Sequence, residues 1–212
     1  MLRCTFPVDI RYHENVNVNG FDFPGSIVKL LTKPYNRVDY FCCGTGAVGF
    51  HLLHKNLAST VRFIDCFNPA IEGCQITAEL NGWSDRTSFA HSLEALDQQV
   101  DLFIGDPPWW PEILPGPAVD ENRVRQLFDI GYATHKTMWQ WLVDHLVPDG
   151  DVFIVRDNKR NNVDNWNSMI PAELKIVAEY PLKFFNPAGG TNNTQIIKLI
   201  DSGMIVQLRK TK

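Results

Sequence analysis

The chain has 212 residues, with 20 Lys and Arg against 24 Asp and Glu, and is 44% hydrophobic and 21% charged. That length suits one well-buried domain and is short for two with a linker, and the composition excludes a fibrous or disordered chain. A formal charge of −4 argues against a protein held on nucleic acid mainly by its net field, although a local basic groove stays open.

The opening MLRCTFPVDIRYHENV lacks the continuous apolar core of a signal peptide. No stretch approaches the roughly 20 apolar residues that span a bilayer. The five cysteines, Cys4, Cys42, Cys43, Cys66 and Cys74, are odd in number and show no zinc-finger spacing. We expect a cytoplasmic chain with buried thiols, no metal and no membrane partner. His51 and His54, one turn apart, have no third ligand near them in sequence.

In chain order, Ser26 is placed to cap a short helix from Ile27 to Thr32, which Pro34 stops. Arg37 to Cys43 reads as a strand, Ala47 to Leu57 as a helix and Val61 to Asp65 as a second strand. Asn68-Pro69 opens a helix to about Leu80, ended by Asn81-Gly82. Thr87 to His91 and Asp101 to Gly105 read as the third and fourth strands. After a Pro-rich loop, apolar residues three and four apart predict the longest helix, Asp120 to Leu146. Pro148-Asp149-Gly150 reads as a turn and Asp151 to Val155 as the fifth strand. Leu174 to Tyr180, Gln195 to Ile200 and Met204 to Leu208 are strand-like, with little helix between. Alternating strands and helices imply a parallel sheet covered on both faces, and the strand-rich end implies an antiparallel edge.

Cys43-Gly44-Thr45-Gly46-Ala47-Val48-Gly49 follows a predicted strand and opens a helix. Gly44 and Gly46 let the backbone turn tightly and approach a ligand, and Gly49 allows close packing of helix on sheet. Taken alone this G-x-G-x-x-G fits a dinucleotide site as well as another nucleoside site. Asp65, ending the second strand, suits the hydroxyls of a ribose under either reading, or is a solvated strand end. Asp106-Pro107-Pro108-Trp109 ends the fourth strand, so Gly44, Asp65 and Asp106 fall along one edge, where open parallel sheets bind ligands. A nicotinamide enzyme has no use for that corner, whereas an enzyme holding an amino group does.

In this order, GTGAVG, Asp65 and DPPW resemble the class I S-adenosylmethionine-dependent methyltransferases. DPPW resembles their amino-methyltransferase branch, which includes release-factor glutamine and adenine-N6 or guanine-N2 nucleic-acid methyltransferases. The resemblance spans roughly Phe23 to Ile200. It implies a Rossmann-like α/β fold: a doubly wound, mostly parallel seven-stranded sheet with an antiparallel C-terminal edge and helices on both faces. It further implies a single domain over 1–212, with 1–35 as an N-terminal extension and cap and 36–212 as the catalytic core.

As cofactor the resemblance implies S-adenosyl-L-methionine, held by Gly44, Thr45, Gly46, Asp65, Cys66, Phe67 and Ser92. The family's acid lies four residues before Gly44. Tyr40 fills that place here, and Asp39 is one residue earlier. Either the Tyr40 hydroxyl substitutes, or a bulge at Cys42-Cys43 returns Asp39 to the site. Cys42 stands where many members have glycine.

Asp106 and the Pro107 carbonyl would accept the two N–H bonds of a planar nitrogen and aim its lone pair at the methyl. Pro108 stiffens the corner and Trp109 stacks on the acceptor. Trp110, Arg156 and Asn186 are candidate substrate contacts. The acidic balance and the lack of a visible target-recognition module favour a small molecule or protein side chain as acceptor over RNA or DNA. A catalytically silent binding subunit is the other alternative.

Overall fold

The structure, a computed structural model, describes residues 2–4, 8–13, 16, 23–94, 96–112, 124, 128–158, 162–182 and 203–211. Strands β1 (Leu2–Cys4) and β2 (Ile10–Tyr12) form a small antiparallel pair ahead of α1 (Phe23–Leu30). The alternating core follows: β3 (Tyr35–Phe41), α2 (Ala47–His54), β4 (Ala58–Ile64), α3 (Asn68–Leu80), β5 (Thr87–Ala90) and β6 (Val100–Gly105). Then come α4 (Ala133–His145), β7 (Leu146–Asp157), α5 (Val163–Ser168), β8 (Leu174–Pro181) and β9 (Gly203–Lys210).

The main sheet has seven strands in the order β5-β4-β3-β6-β7-β9-β8. Strands β3 to β7 pair in parallel, and β9 runs antiparallel between β7 and β8. This is the doubly wound, Rossmann-like sheet with its antiparallel region at the C-terminal end. The winding reverses between β3 and β6, so the carboxyl ends of those two strands flank the crevice where such sheets take ligands.

Strand alternation divides the core in two. Val38, Tyr40, Phe63 and Ile104 pack on one face with α1, α2 and α3. Phe41, Ile64, Phe103 and Ile154 pack on the other with α4 and α5. Phe50 stacks on Phe63 with ring centroids 4.5 Å apart and ties α2 to β4.

Several elements differ from the sequence expectation. Helix α1 starts at Phe23 rather than after Ser26, because Pro24 falls in the first turn, where its missing N–H costs nothing. The range from Asp120 to Leu146 is not one helix. Gly131 (φ 62°) and Tyr132 (φ 60°) are left-handed and separate a single turn at Ile130–Tyr132 from α4. Asp129 then caps α4, accepting the N–H groups of Thr134 at 2.7 Å and His135 at 3.0 Å.

The Pro148-Asp149-Gly150 turn lies inside β7 as an irregularity, since the pairing with β6 shifts between Val100–Leu146 and Leu102–Asp151. Helix α5 occupies a stretch expected to hold little helix, capped by the Asn162 side chain on the Asn165 N–H. The expected strand Gln195 to Ile200 lies outside the described residues. No helix among the described residues is long and apolar enough to cross a membrane.

Candidate active site

Three backbone hydrogen bonds hold the ends of neighbouring strands side by side. The Asp106 N–H reaches Phe41 O at 3.2 Å, the Cys43 N–H reaches Ile64 O at 3.1 Å, and the Asp65 N–H reaches Ala90 O at 3.1 Å. The glycine loop, Asp65 and Asp106 thereby sit along one edge of the sheet, each following a buried strand.

The loop needs its glycines for two reasons. Gly44 (φ 52°) and Gly46 (φ 73°) are left-handed, a conformation that costs a residue with a Cβ roughly 1–2 kcal/mol. A Cβ on Gly46 would also stand 2.7 Å from Cys74 Sγ and from the Phe50 ring, and one on Gly49 would stand 2.5 Å from the Phe63 ring. Cys42, at φ 53°, takes the same left-handed turn without being glycine. Glycine would take this turn freely, and Cys42 takes it under strain.

Asp65 ties the loop to the next one, because its Oδ2 accepts the Gly44 N–H at 2.9 Å and its Oδ1 accepts the Phe67 N–H at 3.0 Å. Burial raises its carboxyl above the ordinary value, and these two N–H groups and nearby His91 hold that rise back. Each oxygen keeps acceptor capacity beyond its one backbone bond. Phe67 is half-buried at the head of α3, Thr45 is half-buried in the loop, and Cys66 and Ser92 are exposed.

At the β6 end, Trp109 Nε1–H donates to Asp106 Oδ1 at 2.9 Å. The indole therefore serves its own motif's carboxylate, and its ring packs at the margin of the α2-side core. Pro107 is buried, and Asp106 and Pro108 are half-buried. Tyr40 is buried on the same side. Burial, then the charge of Asp106, the thiols of Cys43 and Cys74 and the charge of Asp65, push its phenol well above the ordinary range. Burial and the charges of Asp65 and Asp106 act alike on the Cys42 thiol.

Three candidates from the sequence do not join this cluster. Asp39 faces the other side of the sheet, where Arg62 Nε and Nη2 reach its two oxygens at 3.0 and 2.6 Å. The strand stays regular through Phe41, so the bulge that would return Asp39 to the site does not form, and alternation turns Tyr40 inward instead. Trp110 meets Phe128 edge-on at 4.9 Å, and its carbonyl accepts the Asp129 N–H at 2.7 Å.

Arg156 is no loop cation either. It is 1% exposed, and its guanidinium donates to Asn158 at 2.6 Å, Asn167 at 2.9 Å and Glu179 at 2.6 Å while lying over the Trp166 ring. Side chains of this chain take its charge and its fork, which removes it from the substrate. Asn186 lies outside the described residues.

A buried pair went unread in the sequence. The Asp129 Oδ2 sits 2.6 Å from His135 Nδ1, with both side chains 2% exposed or less. Burial pushes the Asp129 carboxyl up, but the His135 ring and the N–H groups of Thr134 and His135 outweigh it and hold the carboxyl low. An Asp a few residues ahead of an apolar-periodic helix was the available signal. No group of three or more His, Cys, Asp or Glu among the described residues is arranged to hold a metal ion.

No protein-family model matches the chain, and no curated protein matches it in sequence. Solved structures do match in shape. A methyltransferase from Pyrococcus furiosus superposes with a TM-score of 0.66 at 14% identity, over 98% of this chain and 91% of its own. The N-methyltransferase NodS from Bradyrhizobium japonicum WM9, solved with S-adenosyl-L-homocysteine, gives 0.62 at 15% identity, over 94% and 92%. TrmN from Thermus thermophilus gives 0.59 at 14% identity over 88% of this chain, which spans about half (48%) of the TrmN chain. The chain has the Rossmann-like fold that these methyltransferases share.

Proposed function

We propose that the chain is an S-adenosylmethionine-dependent methyltransferase acting on a planar nitrogen, an amide or aryl amine, of a small molecule or a protein side chain. The observation that carries this is the edge itself: the left-handed glycine loop, Asp65 and the Trp109-anchored carboxylate of Asp106, held in register by backbone hydrogen bonds.

The residues fit the cofactor. Asp65 presents two acceptor oxygens beside a loop whose turns carry no Cβ at Gly44 or Gly46, and Tyr40 adds a hydroxyl. When bound, S-adenosylmethionine supplies an activated methyl group on a sulfonium, so the remaining work falls on the acceptor. Its nitrogen lone pair is delocalised, and attack requires that pair to be turned out of conjugation. Asp106 accepts one N–H of the acceptor and the Pro107 carbonyl the other, and the prolines keep both acceptors at fixed angles. The Asp106 charge stabilises the positive charge that grows on the nitrogen. Trp109 acts as a positioning residue, because its N–H fixes the Asp106 rotamer.

NodS is an N-methyltransferase of the same fold, in line with a nitrogen acceptor. The formal charge of −4 and the burial of Arg156 favour a small molecule or protein over nucleic acid.

Calorimetry with S-adenosylhomocysteine and transfer of labelled methyl to separate pools of metabolites, protein, RNA and DNA test the reading. Asp106→Ala should abolish transfer and leave S-adenosylhomocysteine affinity within about twofold. Equal loss of both would overturn the role of Asp106. Absence of binding heat in the wild type would leave a silent scaffold.

A further inference from the structure

The sheet has a second feature on the face away from α2. The connection from β5 to β6, residues 91–99, has no helix among its described residues. Leu93 and Leu96 cover the part of the face near Ile64 and Phe103. Toward the strand starts, this face of β3, β4 and β5 carries polar residues. Parallel pairing sets Arg37 beside Thr60, Asp39 beside Arg62 and Arg62 beside Ser88, so one polar row crosses β3, β4 and β5. Doubly wound sheets normally present apolar runs on both faces.

A cleft of about 210 Å³ opens over this row, with Arg37, Arg62, Arg86, Ser88 and Asp85 among its walls. The three guanidiniums are held in place by the chain. Arg37 donates to Gln99 O at 3.1 Å, and Arg86 donates to Ser59 O at 3.0 Å and Ala58 O at 2.6 Å. Arg62, 8% exposed, is clamped on Asp39 through Nε and Nη2. Each guanidinium carries five N–H donors, more than these bonds use. The facing acids are Asp39, spent on Arg62, Asp101, which accepts the Asn36 and Arg37 N–H groups at 2.7 Å each, and Asp85, which is exposed.

We propose that this cleft binds the phosphate group of a small molecule, at a site separate from the edge that carries Gly44, Asp65 and Asp106. Three guanidiniums tethered at the walls of one cleft and the Ser88 hydroxyl match a compact oxyanion, and the bonds to the chain limit their reorientation before the ligand arrives.

The test titrates the folded chain with inorganic phosphate and then with AMP at constant ionic strength, following backbone amide shifts. Saturable shifts should appear at residues 60–62 and 86–88, with Kd below about 1 mM. Ser88→Asp, at an exposed position, and Arg37→Gln should each weaken binding about tenfold, a loss of about 1.4 kcal/mol, without lowering Tm by more than about 2 °C. Tighter binding of AMP identifies a phosphate ester as the occupant and equal binding identifies the free anion; either supports the site. Shifts that do not saturate, that saturate only in the glycine loop, or that are unchanged in both variants overturn it.

Discussion

Replacing Asp39 by Asn removes one charge and keeps the shape of the side chain. In the folded chain burial pushes the Asp39 carboxyl up to about 6, outweighing the hydrogen bonds and charge of Arg62 that pull it down. A folded-state value above the unfolded 3.8 means that the native chain binds this proton more tightly than the unfolded chain. The corresponding stability is fully present below the unfolded value and is lost as pH rises through about 6. For this displacement the amplitude is about 3 kcal/mol.

Urea unfolding of the wild type and Asp39→Asn, from about pH 3.5 to 7.5, isolates this contribution in the difference between the two curves, since other acids titrate alike in both. The wild type should lose about 3 kcal/mol relative to the variant across that range. S-adenosylhomocysteine affinity should stay within about twofold, because Asp39 faces away from the glycine loop. A difference that grows in the opposite sense with pH would refute the dominance of burial over the Arg62 pairing, and a tenfold loss of affinity would refute the placement of Asp39 away from the glycine loop.

Trp109→Phe keeps the ring and deletes the 2.9 Å bond to Asp106, a hydrogen bond to a charged group worth about 1.5–3 kcal/mol. Transfer kinetics should show kcat reduced roughly 10- to 100-fold, with S-adenosylhomocysteine affinity unchanged by calorimetry. Cys42→Gly relieves a left-handed non-glycine residue and should raise stability by about 1 kcal/mol, read as a Tm gain of about 2–4 °C. Arg156→Lys leaves the charge but breaks the three-way fork to Asn158, Asn167 and Glu179, and should cost about 2–3 kcal/mol in urea unfolding. Its KM for the acceptor should not change, and a large rise in KM would return Arg156 to the substrate.

What the sequence made legible was local. Helix α3 matches its expected span from Asn68 to Leu80, because Pro69 starts it and Asn81-Gly82 ends it, both through backbone geometry. The edge bearing Gly44, Asp65 and Asp106 was legible because each residue ends a short apolar run, and parallel strands bring such ends together. Contacts between distant residues were not legible. Nothing around Arg156 announces Glu179 or Asn167 as its partners, so a cation after a strand reads as a solvated loop. The apolar period through Val124 to Leu146 persists across Gly131 and Tyr132, and periodicity cannot register two left-handed residues that break the helix. Asp39 and Tyr40 were separable only once the strand's regular pleat showed which of them turns toward the loop.

That pleat has an electrostatic consequence for the proposed cofactor. An acid in the buried place of Tyr40 would add a third negative charge to those of the half-buried Asp65 and Asp106, and each carboxylate would push the others toward protonation. Tyr40 avoids this. Burial and the two neighbouring carboxylates raise its phenol, so it stays neutral where Asp65 and Asp106 are to act as charged acceptors. The exchange also alters what the position offers, since a carboxylate only accepts hydrogen bonds, whereas a protonated phenol also donates. An amino-acid end carries both an ammonium donor and a carboxylate acceptor. Under the proposed function, a donor at Tyr40 would suit the carboxylate of that end, and the ammonium would need an acceptor other than Tyr40.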